Sequence, residues 1–299
     1  MKTKINSGYV YALTCVLLWS FVPVVSRFGQ SNLDNFQFLF WSNCLSFLVV
    51  GLCMLVRKGL APLKEFSGKR IVYILFLGAL GCAVYYLCLY YGYAKGNSIE
   101  VLIMQYSWPL QIIVLSVFIL GERLPLKSWL AIGIGFLGIV IVLTKGKIAD
   151  IQFSNLTISF IVLAGAFCFA SFSVLSKKLR AEPYTTTTLL FIGGTIISTI
   201  SLMLFSSFQL PSRAELPSVI INGALINGVS YILWLVALEK IPASISAVLV
   251  FLSPALSAIW IVVFFREVFY PAYVIGLVLV LASGYFCIKC SRTSLPASS

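Results

Sequence analysis

Long apolar stretches restrict what this chain can fold into. Ten stretches of about 20 residues, separated by short polar segments, cover most of its 299 residues. A helix that crosses a bilayer needs about 20 mainly apolar residues. Charged residues make up only 10% of the chain, against about 25% in soluble proteins. The sequence therefore predicts an all-α integral membrane protein. It excludes a soluble enzyme, a disordered protein and a secreted disulfide scaffold.

The predicted spans number ten. The first is longer than the apolar core of a signal peptide, so we expect it to be retained as a helix. We place the spans at residues 8–28, 36–56, 71–93, 99–120, 128–145, 156–177, 186–207, 218–238, 244–265 and 270–289.

Basic residues divide unevenly between the two sides of the predicted bundle. With the N-terminus inside, 15 of the 21 Lys and Arg residues fall on the inner side and 6 on the outer side. Cytoplasmic segments of membrane proteins collect Lys and Arg. The sequence thus predicts a multi-pass protein of the inner or plasma membrane with both termini in the cytoplasm. The net charge of +12 is explained by this topology and gives no reason to expect a nucleic-acid partner.

The two halves of the sequence resemble each other. Pro109 corresponds to Pro254 and Glu122 to Glu267, both at an offset of 145 residues. We therefore divide the chain into a first five-helix repeat, 1–149, and a second, 150–299. An odd number of spans inserts the second repeat upside down. Inverted repeats are a recurrent plan of secondary transporters, with the substrate site at the midplane between the halves.

This pattern resembles the drug/metabolite transporter superfamily, in its ten-helix EamA-type branch. The resemblance covers nearly the whole chain, although Arg266 stands where the family usually has a small residue before the second Glu. The residues that carry it are Trp19, Pro109, Gly121, Glu122, Arg123, Leu124, Gly133, Gly135, Gly138, Pro254, Glu267, Val268, Gly276 and Gly284. The resemblance implies a central cavity lined by the first, third, fourth, sixth, eighth and ninth helices. It also implies transport of amino acids, other metabolites or nucleotide-like solutes.

Aromatic and amide residues mark these helices. Amide side chains at membrane depth need polar partners, so they face protein or a wet cavity. Tyr93 fits the aromatic belt at the membrane surface instead. The candidate substrate-binding residues are Trp19, Tyr86, Tyr90, Gln105, Trp108, Asn227, Tyr231 and Trp234.

Two prolines and two glutamates recur in both halves. Pro109 and Pro254 lie within spans, where a proline removes a backbone hydrogen bond and kinks the helix. The kinks are expected to shape the cavity or to bend during transport, or else to be static packing features. Glu122 and Glu267 are either gates or proton carriers, or structural carboxylates that cap the next helix through its dipole. Their position at span ends favours the structural reading.

An ionisable group deep in the membrane is not evident. All nine acidic residues lie near predicted helix ends, and Glu100 is the closest to the cavity. Ion-coupled pumps usually bury such a group in their pathway. The expected mechanism is therefore facilitated diffusion or exchange, or else coupling through a group that the sequence does not reveal. The nearest cations, Arg27 and Lys177, also lie at span ends, which disfavours highly phosphorylated substrates.

A polar-aromatic pocket without a fixed charge suits small amphiphiles. Stacking and cation–π contacts bind flat or cationic groups, and amides orient zwitterions. The expected function is export of amino acids or related amphiphilic solutes by alternating access. The alternative is uptake or exchange of a cofactor-like or cationic metabolite. A remote alternative, an intramembrane lipid-modifying enzyme, lacks a catalytic constellation, since the chain has no His. No metal or cofactor is expected, and the protein is expected to be a monomer or a weak homodimer.

Overall fold

The computed structural model describes residues 2–95, 98–151 and 156–293, and its regular structure there is entirely helical. Ten helices within these residues are long and apolar enough to cross a membrane, as predicted. We number them α1 (Ser7–Gly29), α2 (Asn35–Lys58), α3 (Gly68–Tyr93), α4 (Glu100–Leu120), α5 (Leu126–Leu143), α6 (Leu156–Leu179), α7 (Pro183–Phe205), α8 (Leu216–Lys240), α9 (Ala243–Phe265) and α10 (Pro271–Cys290).

Prolines interrupt the helices of α4 and α9 at matched points. The first helix of α4, Ser98–Gln105, stops four residues before Pro109, and a second helix, Trp108–Leu120, follows. In α9 the corresponding helices are Ala243–Val250 and Leu252–Phe265. A proline cannot donate to the carbonyl four residues earlier, and its ring crowds that carbonyl. The helix breaks therefore lie just before Pro109 and Pro254, as predicted from the two prolines.

Two further spans contain π-helical turns. They are Leu80–Val84 in α3 and Ile221–Val229 in α8. The two segments overlap at the repeat offset of 145 residues. π-Bulges often occur at functional sites, and these two lie in spans expected to line the pathway.

The most extensive helix contacts join the first five spans to the last five. They include α5 with α10, α3 with α6, α3 with α7, and α2 with α7. The contacts of α1 with α8 have a counterpart in those of α6 with α3, and the contacts of α2 with α8 have one in those of α7 with α3. The core therefore lies between the halves, and exchanging the halves preserves the main pairings.

Glycines permit the closest contacts between spans. A Cβ atom on Gly78 of α3 would lie 2.0 Å from the Leu190 carbonyl oxygen of α7, and one on Gly193 would lie 2.0 Å from the Leu75 carbonyl oxygen. Such small residues let the backbones of membrane helices approach each other. By contrast, a Cβ atom on Gly133 of α5 would have no neighbour within 4 Å.

The residues after α4 and α9 share a left-handed backbone. Gly121 has a φ of 69° and Arg266 a φ of 54°. Glycine adopts this conformation without the steric cost that a side chain adds. Arg266 thus keeps the turn of its counterpart despite the departure from the family pattern.

The bundle has two ends, which we name by their glutamates. At the Glu122 end, α4 and α6 finish and α9 begins. Helix α9 has 23 residues, about 34 Å at 1.5 Å per residue, so Glu267 lies at the opposite end. There Glu215 accepts hydrogen bonds from the backbone N–H groups of Asn32, Leu33 and Ser212 and ties together the loops before α2 and α8.

Candidate substrate pathway

An aromatic cluster lies at the centre of the bundle. It consists of Trp19, Trp108, Phe169, Tyr231 and Trp234, contributed by α1, α4, α6 and α8. Ring centroids of the other four lie 5.1–6.2 Å from that of Trp19. Four predicted binding residues therefore meet in one place. Phe169 was not predicted as a site residue, although it is the repeat counterpart of Trp19.

Hydrogen bonds from the indole and phenol groups orient the aromatic cluster. The Trp19 Nε1–H donates to Ser230 Oγ at 2.8 Å, and the Trp234 Nε1–H donates to Ser173 Oγ at 3.2 Å. The Tyr231 hydroxyl donates to the Gly81 carbonyl, in the π-helical turn of α3, at 3.3 Å. Buried aromatic polar groups need such partners.

The aromatic cluster is closed in this structure. Tyr231 is 1% exposed, Trp234 0% and Trp108 5%. These rings were expected to line open space. They instead pack against one another and are buried between α1, α4, α6 and α8. The aromatic character was readable from the sequence, but the closed packing depends on contacts between distant spans.

A second group of polar side chains lies beside the aromatic cluster, towards the Glu267 end. We call it the phenol–amide cluster, and its members are Tyr85, Tyr86, Tyr90, Tyr93, Gln105 and Asn227. None of these six side chains is charged. Its sequence-predicted members are Tyr86, Tyr90, Gln105 and Asn227.

The two amides hold the phenol–amide cluster together. Gln105 Nε2 donates to the Tyr85 hydroxyl at 2.9 Å, and the Tyr93 hydroxyl donates to Gln105 Oε1 at 3.0 Å. Across the halves, the Tyr86 hydroxyl donates to Asn227 Oδ1 at 3.4 Å. Tyr93 was predicted to belong to the membrane-surface belt, but its hydroxyl joins this network.

Three side chains of the phenol–amide cluster remain partly exposed. Tyr86, Tyr90 and Gln105 are only half-buried. Tyr86 reaches Asn227 of the other half, and Gln105 lies at the helix break in α4. The Gln105 backbone carbonyl is the one that Pro109 deprives of its helical donor. Half-buried phenols and an amide beside a helix break can bind a small polar molecule.

Glu100 is more buried than its position at a span end suggested. It is 2% exposed, and its carboxylate accepts a hydrogen bond from the Ser159 hydroxyl of α6. It lies five residues before Gln105 in α4. This carboxylate is therefore the acidic group nearest to the phenol–amide cluster in sequence.

Glu122 joins three segments of the chain at the other end of the bundle. Its carboxylate accepts from the backbone N–H of Ala243 at 2.6 Å, the N–H of Ser244 at 3.0 Å and the Ser244 hydroxyl at 2.6 Å. Lys177 Nζ lies 3.4 Å from Glu122 Oε1 and donates to the Ile241 carbonyl at 2.7 Å. We call these residues the Glu122 latch.

The capping prediction for Glu122 was wrong about which helix is capped. The expected partner was the next helix, α5, whose N-terminus follows Pro125 and has no side-chain cap. Glu122 instead caps α9, in the other half of the chain. A carboxylate at a helix N-terminus satisfies free N–H groups and interacts favourably with the helix dipole.

Glu267 has a different environment from its counterpart. Its Oε1 lies 3.0 Å from Arg27 Nη1, and the side chains of Arg27 and Glu267 are 60% and 40% exposed. The Arg27 guanidinium also lies 4.1 Å from the centroid of the Phe265 ring. An ion pair this exposed contributes little to stability. The expectation that Glu267 caps α10 was also wrong, since its described partner is Arg27.

The charge of Glu122 has a predicted pH dependence. Burial raises the pKa of its carboxyl, but Lys177 and the Ser244 and Ala243 donors outweigh burial, so the pKa lies below its ordinary 4.5. A depressed pKa contributes stability that is present above pH 4.5 and lost as the pH falls through the folded-state pKa. We expect Glu122→Gln to lower the melting temperature at pH 7, with the difference from wild type shrinking towards pH 4. A difference that grew on acidification would contradict this assignment.

A cavity of about 850 Å³ adjoins the Glu122 latch. Its lining includes Glu122, Lys177, Arg180, Lys240 and Pro242. The cavity thus lies at the Glu122 end of the bundle.

The family and the relatives that this sequence matches are named as transporters. The sequence model of the EamA-like transporter family matches residues 6–144 and again residues 156–288. An S-adenosylmethionine uptake transporter of Rickettsia conorii is 25% identical, over 99% of this chain and 96% of that protein. The pseudopaline exporter CntI of Pseudomonas aeruginosa is 23% identical, over 97% of each chain. A solved crystal structure, 20% identical, shares the fold with a TM-score of 0.85 over 96% of this chain and 99% of that one.

Proposed function

Because the chain belongs to the EamA-like transporter family, and is a membrane transporter rather than an enzyme, we propose that it exports amino acids or related amphiphilic solutes by alternating access. The two halves, 1–149 and 150–299, act as inverted repeats around a site between them. The observation that carries this proposal is the phenol–amide cluster, in which Tyr86 and Asn227 join the halves next to the closed aromatic cluster.

The arrangement of the spans supports two inverted repeats. Five spans in each half place matched helices in opposite directions, and the family model matches each half separately. The swapped helix pairings, the matched proline breaks and the matched π-helical turns agree with this symmetry. Alternating access in such folds is largely a movement of one repeat against the other around a fixed site.

The chemistry of the phenol–amide cluster favours a specific class of substrate. Phenol faces attract cations and stack on flat groups, whereas amides and hydroxyls hydrogen-bond ammonium and carboxylate groups. A multiply charged phosphate would meet no cation among the six residues of this cluster. Aromatic or cationic amino-acid-like molecules therefore fit best.

Uptake is the second candidate for direction. The relatives include one protein named as an uptake transporter and one named as an exporter, both matched over nearly the whole chain. A cofactor-like or cationic metabolite is then the alternative substrate. Direction follows the gradients that act on the carrier and not the side chains of the cluster.

Thermal stabilisation of the purified protein tests the substrate class. A ligand that binds only the folded state stabilises it by about 2.7 kcal/mol at 100 times its dissociation constant. We expect aromatic amino acids or S-adenosylmethionine to raise the melting temperature, and nucleoside triphosphates to leave it unchanged. Stabilisation by nucleotides alone would contradict the proposed class.

The orientation proposed from basic residues places both termini in the cytoplasm of an inner or plasma membrane. The Glu122 end is then the inner end. A membrane-impermeant thiol reagent added to intact cells should not react with a cysteine placed in the loop 57–70. Reaction there would reverse the orientation.

A further inference from the structure

Two acid–base pairs occupy matched positions at opposite ends of the bundle. Glu122 and Glu267 correspond at an offset of 145 residues, and Arg27 and Lys177 at an offset of 150. Glu122 pairs with Lys177, and Glu267 pairs with Arg27. Each pair joins the segment after a proline-broken span, α4 or α9, to the end of the first span of the opposite half. The same interaction is therefore built twice, once at each end.

The two pairs differ in how completely they are engaged. At the Glu122 end the side chains are 14% (Glu122) and 19% (Lys177) exposed, and the carboxylate also holds the first turn of α9. At the other end the side chains are 40% and 60% exposed. Hydrogen bonds to charged, partly buried groups are stronger than those in exposed pairs. The Glu122–Lys177 pair is therefore the more tightly engaged of the two matched pairs, although Glu215 holds the loops before α2 and α8 together at the Glu267 end.

From this asymmetry we propose that the Glu122 latch and the Arg27–Glu267 pair are the two gates of the transport cycle, fastened alternately. In this structure the Glu122 latch is fastened. In the opposite state Lys177 and the start of α9 release Glu122, and the Arg27–Glu267 pair becomes buried. This inference rests on the proposed alternating-access function and assigns its gating residues.

The helix break in α9 allows the first helix of that span to move. The first helix of α9, Ala243–Val250, is attached to Glu122 at one end and stops at the Pro254 break at the other. Because the break removes a helical hydrogen bond, this segment can tilt without unwinding the rest of α9. Release of Ala243 and Ser244 would open a path from the 850 Å³ cavity to the aromatic cluster.

Ser173 is a suitable reporter of this opening. It lies in α6 one helical turn before Lys177, is 0% exposed, and accepts from Trp234 of the aromatic cluster. Cysteine replaces serine with little change in shape. A cysteine at position 173 is therefore shielded while the latch is fastened and becomes reactive when it opens.

The test measures the rate at which a hydrophilic maleimide labels Ser173→Cys in the purified full-length protein, with and without Lys177→Met. We expect Lys177→Met to increase the rate about tenfold, since it removes the charged partner but keeps the side-chain length. Lys177→Arg should restore a rate close to that of the parent. Lys58→Met is the control, because it removes the same charge from an exposed residue at the end of α2 that does not line the cavity, and it should leave the rate unchanged. Each variant is also measured without Ser173→Cys to subtract the native cysteines.

Glu122→Gln provides a second route if Lys177→Met folds poorly. It keeps one acceptor oxygen for the α9 N-terminus but loses the charge, and it should also increase labelling. Rates for Lys177→Met and Glu122→Gln no higher than that of Lys58→Met would overturn the gate assignment. This readout needs no substrate. A protein that transports nothing in any assay would contradict the proposed function and leave the labelling result interpretable.

Discussion

Replacing Gly78 by alanine should strongly destabilise the protein and lower its yield. The added Cβ would lie 2.0 Å from the Leu190 carbonyl oxygen and 2.6 Å from its Cα atom. These are backbone atoms of a long buried helix, so no side-chain rotation relieves the contact. Overpacking of this kind costs about 3 kcal/mol, a large part of the stability of a typical protein. Gly193→Ala should have a similar effect, because its Cβ would meet the Leu75 carbonyl oxygen at 2.0 Å.

The measurement is the yield of monodisperse protein in size-exclusion chromatography, together with the melting temperature. Gly133→Ala is the matched control, since its Cβ would have open space and alanine favours helix over glycine. We expect normal yield and an equal or higher melting temperature for this variant. If Gly78→Ala and Gly133→Ala behaved alike, the close packing of α3 on α7 would be contradicted.

Replacing Tyr86 by alanine should reduce transport by at least tenfold while leaving membrane insertion intact. The phenol packs against Tyr85, with ring centroids 4.8 Å apart, and reaches Asn227 across the two halves. Its loss removes both the ring face and the hydroxyl from the phenol–amide cluster. One hydrogen-bonded group or ring contact is worth about 1–2 kcal/mol, and a tenfold change in rate corresponds to about 1.4 kcal/mol.

Initial rates of substrate exchange, corrected for the amount of inserted protein, provide the test. Tyr91→Ala is the control, because Tyr91 lies in the same span but is 47% exposed and should transport normally. At the matched position, Tyr231→Phe is more informative than Tyr231→Ala. Tyr231 is 1% exposed, so the alanine variant would open a destabilising cavity. Full activity of Tyr86→Ala would remove Tyr86 from the proposed site.

The spans and their breaks could be predicted because their causes are local. About 20 apolar residues in succession define a span, and a proline in the interior of a helix removes the hydrogen bond to the carbonyl four residues upstream. Pro109 and Pro254 therefore fixed the breaks in α4 and α9 before any packing was known. The repeat offset likewise required only the sequence.

Contacts between distant residues could not be predicted in the same way. The partner of Glu122 is Ala243, 121 residues away, and nothing near Glu122 in the sequence indicates it. Tyr93 has the amphipathic side chain and the span-end position that are typical of a membrane-surface residue. Only the tertiary structure shows that its hydroxyl also reaches Gln105. Phe169 could have been included, because its counterpart Trp19 was already a candidate. The closed packing of Tyr231 and Trp234 depends on four spans at once.

Counterflow in proteoliposomes tests the central proposal most directly. Vesicles containing the purified protein are loaded with one unlabelled solute, and uptake of the labelled solute is followed without an imposed ion gradient. A carrier with a site open to one side at a time predicts transient, saturable accumulation with an aromatic or cationic amino-acid-like solute. We expect this accumulation to be lost in Tyr86→Ala and kept in Tyr91→Ala. Uptake that never exceeds simple equilibration, for every solute in the panel, would contradict alternating access.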